Sequence, residues 1–243
     1  MEMFKSFKVK LKLFITFIAL FTFATFILSC NSSQKNNLWS TIDPLPLDPE
    51  IEAQIDEILP KLTLEQKVGQ VIQGDTGSLT PEDVKKYRLG SVLSGGNSAP
   101  GPLPYAETKA WLEMADKYYN ASIDDEDVEI AIPIIWGIDA VHGHANLKGS
   151  IIFPHNIGLG AMNNPDLIEQ IASITAHELT VSGHDWTFAP TLAVPQDLRW
   201  GRSYEGFSEN PDLVKSYGDR IVIGLQGEFG SENFMGDGRV ISS

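Results

Sequence analysis

The chain has 243 residues, 42% of them hydrophobic, with 18 Lys and Arg against 32 Asp and Glu and a formal net charge of −14. That length and apolar content suffice for one sizeable core. The acidic balance, with neither a basic run nor basic residues interleaved with aromatics, excludes nucleic acid as an expected partner, since a negative surface repels phosphate.

Residues 1–12 carry four lysines and one glutamate, residues 13–28 are almost wholly apolar, and Ser29-Cys30 closes the run. An apolar stretch of 16 residues is short for a spanning helix, which needs about 20. The basic start, apolar centre and small residue before the break read as an export signal over residues 1–29. The pattern resembles a bacterial lipobox, so Cys30 is expected to be acylated and to anchor an exported protein in a membrane; the competing reading is an ordinary secretory signal with an incidental cysteine. Cys30 is the only cysteine, which excludes disulfides within the chain. Residues 31–37 (NSSQKNN) are polar, and residues 30–47 read as a tether ahead of a folded domain over 48–243. Without residues 1–29, 14 basic residues face 31 acidic ones, a net charge of −17.

From Asp48 onward, Ile51, Ile55, Ile58, Leu59 and Leu62 recur at helical spacing. Thr63-x-x-Gln66 is a capping box ahead of Val68, Val71 and Ile72, and Thr80-Pro81 starts another short helix. Residues 89–94 (LGSVLS) predict a buried strand ended by Gly95-Gly96. Residues 106–121 predict a helix with Trp111, Met114, Ala115 and Tyr118 on one face. The acidic residues 124–127 lack the alternating ligands and central glycine of a calcium loop and read as a solvated turn.

The stretch 132–161 organises the chain. Its β-branched run, with Ile132, Ile134 and Ile135, ends at Trp136-Gly137 and delivers Asp139 where a buried strand emerges from its sheet. Ligands bind at the carboxyl ends of parallel strands, which makes Asp139 the first candidate. Beyond it, Asn164-Pro165-Asp166 opens a helix to about Ser182, and Asn210-Pro211-Asp212 opens another to about Gly227. Residues 186–194 between them predict a strand. Strand, loop and helix thus alternate, which argues for an α/β fold with parallel strands, either an open sheet or a (β/α)8 barrel. A dinucleotide glycine fingerprint and a phosphate loop are both missing from the sequence.

His142, His144 and His155 could be proposed as zinc ligands, but there is no spare cysteine and no His-Glu-x-x-His; after His177-Glu178, Val181 stands where the second histidine belongs. No Gly-x-Ser-x-Gly elbow supports a serine nucleophile. What remains is Asp139 and the loop 197–209 (DLRWGRSYEGFSE), with Arg199, Arg202, Glu205 and aromatic rings. Arginine, carboxylates and a flat ring suit a sugar's hydroxyls and ring face, and structural salt bridges account for the same composition equally well.

At these residues the sequence resembles the N-terminal part of family 3 glycoside hydrolases, in their β-glucosidase and exo-β-glucanase branch. The matching blocks are 62–70 (LTLEQKVGQ), 90–96 (GSVLSGG), 137–144 (GIDAVHGH), 152–161 (IFPHNIGLGA) and 199–209 (RWGRSYEGFSE). The resemblance implies a (β/α)8, TIM-like barrel of which this chain holds the N-terminal portion, retaining exo-cleavage of β-linked glucose from β-glucosides or β-glucans, and no cofactor. It implies that Asp139 binds hydroxyls of the terminal glucose and that Arg202, in Trp-Gly-Arg, serves the same subsite. The N-acetylhexosaminidase branch usually has Asp-Gln-Glu-Gly-Gly where this chain has Asp139-Ala140-Val141-His142-Gly143, which favours the glucosidase. Leu198 departs from the family's usual proline.

Family members continue with a sugar-binding Lys-His-Phe segment, an aspartate nucleophile and a second domain that supplies the acid/base. Residues 236–243 (GDGRVISS) stop at the strand leading into Lys-His-Phe, so no catalytic residue is assigned, and the chain alone is expected to be inactive. The alternative expectation is a short, non-catalytic carbohydrate-binding lipoprotein.

Overall fold

The computed structural model describes residues 47–243. The expected export signal, Cys30 and all but the last residue of the 30–47 tether lie outside the described residues. Among the described residues no helix is long and apolar enough to cross a membrane. The chain divides into Met1–Glu52 and Ala53–Ser243. In the first unit the described residues open helix α1 (Pro49–Ile58).

The second unit alternates helices and strands. After α1 and a 3-10 turn come α2 (Leu64–Gln70), β1 (Gln73–Asp75), α3 (Pro81–Tyr87), β2 (Ser91–Ser94), α4 (Thr108–Ser122) and β3 (Ile135–Ile138). They are followed by α5 (Asn156–Met162), α6 (Pro165–Thr180), β4 (Trp186–Thr187), α7 (Pro211–Gln226) and β5 (Ile241–Ser242). The helix starts are chemically marked as the sequence predicts. Thr63 and Gln66 close a capping box on α2, Thr80 and Asp83 close another on α3, and Asn164 and Asn210 cap α6 and α7 ahead of a first-turn proline.

All neighbouring strands are parallel and lie in chain order, β1-β2-β3-β4-β5. A doubly wound sheet reverses direction at a switch point, whereas a (β/α)8 barrel adds each strand beside the previous one. The order seen is the barrel's, so the fold is α/β of the TIM type, five strands of which lie among the described residues. In the register, Gly137 stands between Leu93 and Trp186. A side chain there would press into the rings of Phe188 and Trp186, which is why the centre of β3 carries glycine.

The core lies between this sheet and its helices. Val92, Trp136 and Ile138 from the strands meet Trp111 and Tyr118 of α4, Ile168, Ala172 and Leu179 of α6, and Val214, Tyr217 and Leu225 of α7. Each large apolar side chain so buried contributes about 1.5–3 kcal/mol. The polar tips are satisfied: Trp111 Nε1 donates to the Asn146 carbonyl at 3.0 Å and Tyr118 Oη to the Leu79 carbonyl at 2.6 Å.

Several elements differ from the sequence reading. The central strand begins at Ile135 instead of Ile132 and continues to Ile138, and only Trp186 and Thr187 of residues 186–194 are paired. The rest of that stretch leaves the sheet as a loop containing a cis Ala189-Pro190 bond. Strand β1 reads QGD and has no β-branched residue, so backbone pairing with β2, not side-chain pattern, places it. Of Ile55, Ile58, Leu59 and Leu62, only Leu62 is buried. Helical spacing marks an apolar stripe without specifying what covers it. The acidic turn is tied down by Lys85, whose Nζ meets Asp124 at 2.6 Å and Glu126 at 3.0 Å.

Candidate functional site

Parallel strands bring their carboxyl ends to one side of the sheet, and Asp139 is the first residue past β3. Its neighbours hold the exit in place: Phe188 N donates to the Ile138 carbonyl at 3.1 Å, and Ala140 N to Thr187 Oγ1 at 3.4 Å. Asp139 presents surface to solvent, yet protein walls its carboxyl closely enough that desolvation is the largest influence on it. Burial and the negative charge of Glu205 raise its pKa above the usual carboxylate value, opposed by Arg202 and His142.

Arg202 and Glu205 come from the loop after β4. A 3-10 turn over Ser203–Glu205 follows Arg202, and the guanidinium grips the carboxylate in a fork: Nε to Oε1 at 2.7 Å and Nη2 to Oε2 at 2.6 Å. That bond holds the Glu205 carboxyl below its usual range and raises the arginine further. Arg202 keeps 64% of its side-chain surface open, Glu205 only 14%. The structure therefore gathers Asp139, Arg202 and Glu205 into one electrostatic cluster, in which Arg202 is paired with Glu205 and acts on Asp139 through space. Arg199, the other arginine of the loop, is held by Asp197, so it stands as a separate exposed pair.

The three histidines read as zinc candidates do not converge. The rings of His142 and His155 lie 4.4 Å apart, and His155 also meets the edge of Tyr204 at 4.6 Å. His142 Nδ1 donates to the Phe153 carbonyl at 2.8 Å, while His155 Nδ1 accepts from Asn156 N at 2.9 Å as the cap of α5. His155 is pushed below its ordinary pKa, first by burial and then by His142. His144 points elsewhere, into a buried cage with Trp111 and His184. Among the described residues no group of three or more His, Cys, Asp or Glu could hold a metal ion.

In the same loop as Arg202 and Glu205, Trp200 and Tyr204 present exposed rings. A carboxylate acceptor, a guanidinium donor and flat apolar faces can together bind a hydroxyl-rich molecule. The sequence reading singled out Asp139 and Arg202. It counts Glu205 among the loop's sugar-suited carboxylates without its fork to Arg202, although the three-residue spacing is the signal for that pair, and it gives α5 no part in the site.

The sequence profile described as the glycosyl hydrolase family 3 N terminal domain matches residues 63–243. A lysosomal beta glucosidase of Dictyostelium discoideum is 31% identical over 198 residues, covering 75% of this chain and 23% of that protein. A periplasmic beta-glucosidase of Salmonella typhimurium is 26% identical over 195 residues, covering 78% of this chain and 23% of that protein. Among solved structures, an exo-1,3/1,4-beta-glucanase from a Pseudoalteromonas species superposes with a TM-score of 0.78 at 49% identity, covering 82% of this chain and 24% of that one. The chain thus spans about a quarter of the length of these relatives.

Proposed function

The chain belongs to glycosyl hydrolase family 3, as its N-terminal domain, and from that premise we propose that it is the opening portion of a longer, retaining, exo-acting β-glucosidase that removes terminal β-D-glucosyl residues from β-glucosides or β-glucans. The observation that carries this reading is the 49% identity over 82% of the chain to a protein named an exo-1,3/1,4-beta-glucanase. In this reading Asp139 accepts hydrogen bonds from hydroxyls of the terminal glucose and Arg202 donates to the same ring, each bond charge-assisted.

Retention needs two carboxyl groups about 5 Å apart, one a nucleophile and the other an acid/base. The charge of Glu205 helps raise Asp139, while Arg202 lowers Glu205, so the two pKa values are displaced in opposite directions. Such divergence marks acid/base pairs in many enzymes. Glu205, however, is clamped in a fork by Arg202, which stabilises it as a spent anion and leaves it poorly suited to attack or to carry a proton. We therefore assign neither role within residues 47–243, place both in the continuation of the protein, and expect the 243 residues alone to bind sugar weakly and cleave nothing. Cys30 is proposed as the lipid anchor, holding the enzyme on the outer side of a bacterial membrane through more than one acyl chain.

The intact protein should release glucose from an aryl β-D-glucoside and from β-1,3- or β-1,4-linked glucans, with β-glucose appearing first by NMR. It should be far slower on an aryl N-acetyl-β-glucosaminide. A reversed preference, or α-glucose as the first product, would reject the assignment. For the anchor, Cys30→Ser should abolish metabolic lipid labelling; unchanged labelling removes Cys30 from that role.

A further inference from the structure

Helix α5 borders the Arg202 turn, and one of its side chains is built into that turn. Asn156 is 1% exposed. Its Nδ2 donates to the Glu205 carbonyl at 2.8 Å and to Thr191 Oγ1 at 2.8 Å, while Thr191 Oγ1 donates to the same carbonyl at 2.8 Å. The three groups close a ring of hydrogen bonds on a single backbone oxygen. The ring fixes which way the Asn156 amide faces: reversing it would set Oδ1 against the Glu205 carbonyl oxygen. Asn156 Oδ1 accordingly has no partner although it is buried, an arrangement that costs stability unless the two donor contacts repay it.

The carbonyl so held belongs to the residue whose carboxylate grips Arg202. Ser203 ties the start of the turn to the Trp200 carbonyl, through N at 3.1 Å and Oγ at 2.8 Å, whereas its end is held by Glu205 N to the Arg202 carbonyl at 3.0 Å and Gly206 N to the Ser203 carbonyl at 3.2 Å. Arg202 itself is largely exposed, and the fork with Glu205 is the contact that orients its guanidinium. The position of the guanidinium beside Asp139 is therefore set through Glu205. We infer that Asn156 and Thr191 are positioning residues for the Arg202 subsite: they touch no ligand, and they act by locking the Glu205 carbonyl and, through the Glu205 carboxylate, the direction of the guanidinium. Nothing in the Asp139–Arg202 cluster itself requires this, and the inference rests on the reading of that cluster as a sugar subsite.

The test uses the intact protein, with Thr191→Val removing the hydroxyl at constant shape, Thr191→Ser restoring it, and Arg202→Ala as the reference. Two readouts are taken: KM and kcat on an aryl β-D-glucoside, and amide hydrogen exchange at Glu205 and Gly206 without sugar. Thr191→Val should raise KM about tenfold with kcat changed less, and should speed exchange at both amides, while Thr191→Ser stays near the parent in both. Equal losses in the Val and Ser variants would show general packing damage and overturn the inference. So would unchanged exchange and KM in Thr191→Val beside an impaired Arg202→Ala, an outcome that leaves the sugar subsite standing. A normal Arg202→Ala would reject the subsite instead; exchange then decides, with faster exchange in Thr191→Val alone supporting the lock and unchanged exchange rejecting it.

Discussion

At the scale of single residues, the most consequential burial outside the candidate site is that of His144 and His184. Ser182 Oγ bridges them, 3.1 Å from His144 Nε2 and 3.0 Å from His184 Nδ1, and the outer nitrogens, His144 Nδ1 and His184 Nε2, have no partner. Burial pushes His144 down to about 4 and His184 well below its ordinary value, the latter also through His144. Below an ordinary histidine pKa of about 6.5 the unfolded chain takes up protons that the folded chain refuses. Stability is therefore full above about pH 6.5 and falls as the pH drops toward 4, by about 2 kcal/mol from His144 alone at pH 5. His144→Gln should flatten this acid limb, measured as the difference in urea midpoint between pH 7 and pH 5. An equally steep limb in the variant would show that His144 is not the group that titrates. The Asp139 pKa is displaced upward instead, so sugar binding through its anion, as proposed, should also weaken as pH falls and should do so at a higher pH than for an ordinary carboxylate.

At the scale of elements, α5 decides how closely the arginine loop approaches the sheet. Gly160 lies against the Phe207 carbonyl, and any side chain at position 160 would overlap that oxygen. Phe207 in turn packs its ring on Tyr217 of α7, whose hydroxyl donates to the Leu159 carbonyl at 2.9 Å. Gly160→Ala, usually favourable in a helix, should here destabilise by about 1–3 kcal/mol, because backbone rather than a flexible side chain must move. It should also weaken sugar binding by displacing the turn; chemical denaturation together with KM measures both. The sequence could not show this. NIGLGAM carries two glycines and no strong helix signal, and the helix exists because His155 caps it and Leu159 and Asn156 are buried. By contrast α6 and α7 were legible almost to the residue, since Asn-Pro-Asp writes the cap, the first turn and the dipole in sequence. Asp139 was legible because an apolar run has to end somewhere. The pairing of Arg202 with Glu205, and of the Glu205 carbonyl with Asn156 49 residues earlier, depends on how loops fold over the sheet, which no local pattern records.

At the scale of the whole molecule, β1 and β5 are each paired on one side among the described residues, while a closed barrel pairs every strand on both. Residues 31–243 purified alone should therefore melt without a sharp cooperative transition and should leave an aryl β-glucoside intact. A cooperative melt with measurable turnover would contradict the placement of the nucleophile and acid/base outside this stretch. The reading proposed for the site is narrower: the carboxyl end of β3 and the Arg202 turn would form the glucose subsite of the intact protein. Its most direct test is kcat/KM on an aryl β-D-glucoside for the intact protein against Asp139→Ala and Arg202→Ala. Charge-assisted hydrogen bonds contribute roughly 1.5–3 kcal/mol each, and those that strengthen as the ring flattens lower the barrier, so either variant should lose about a hundredfold or more. Near-parental turnover by either folded variant would contradict the account, because the altered residue would then lie outside the sugar subsite.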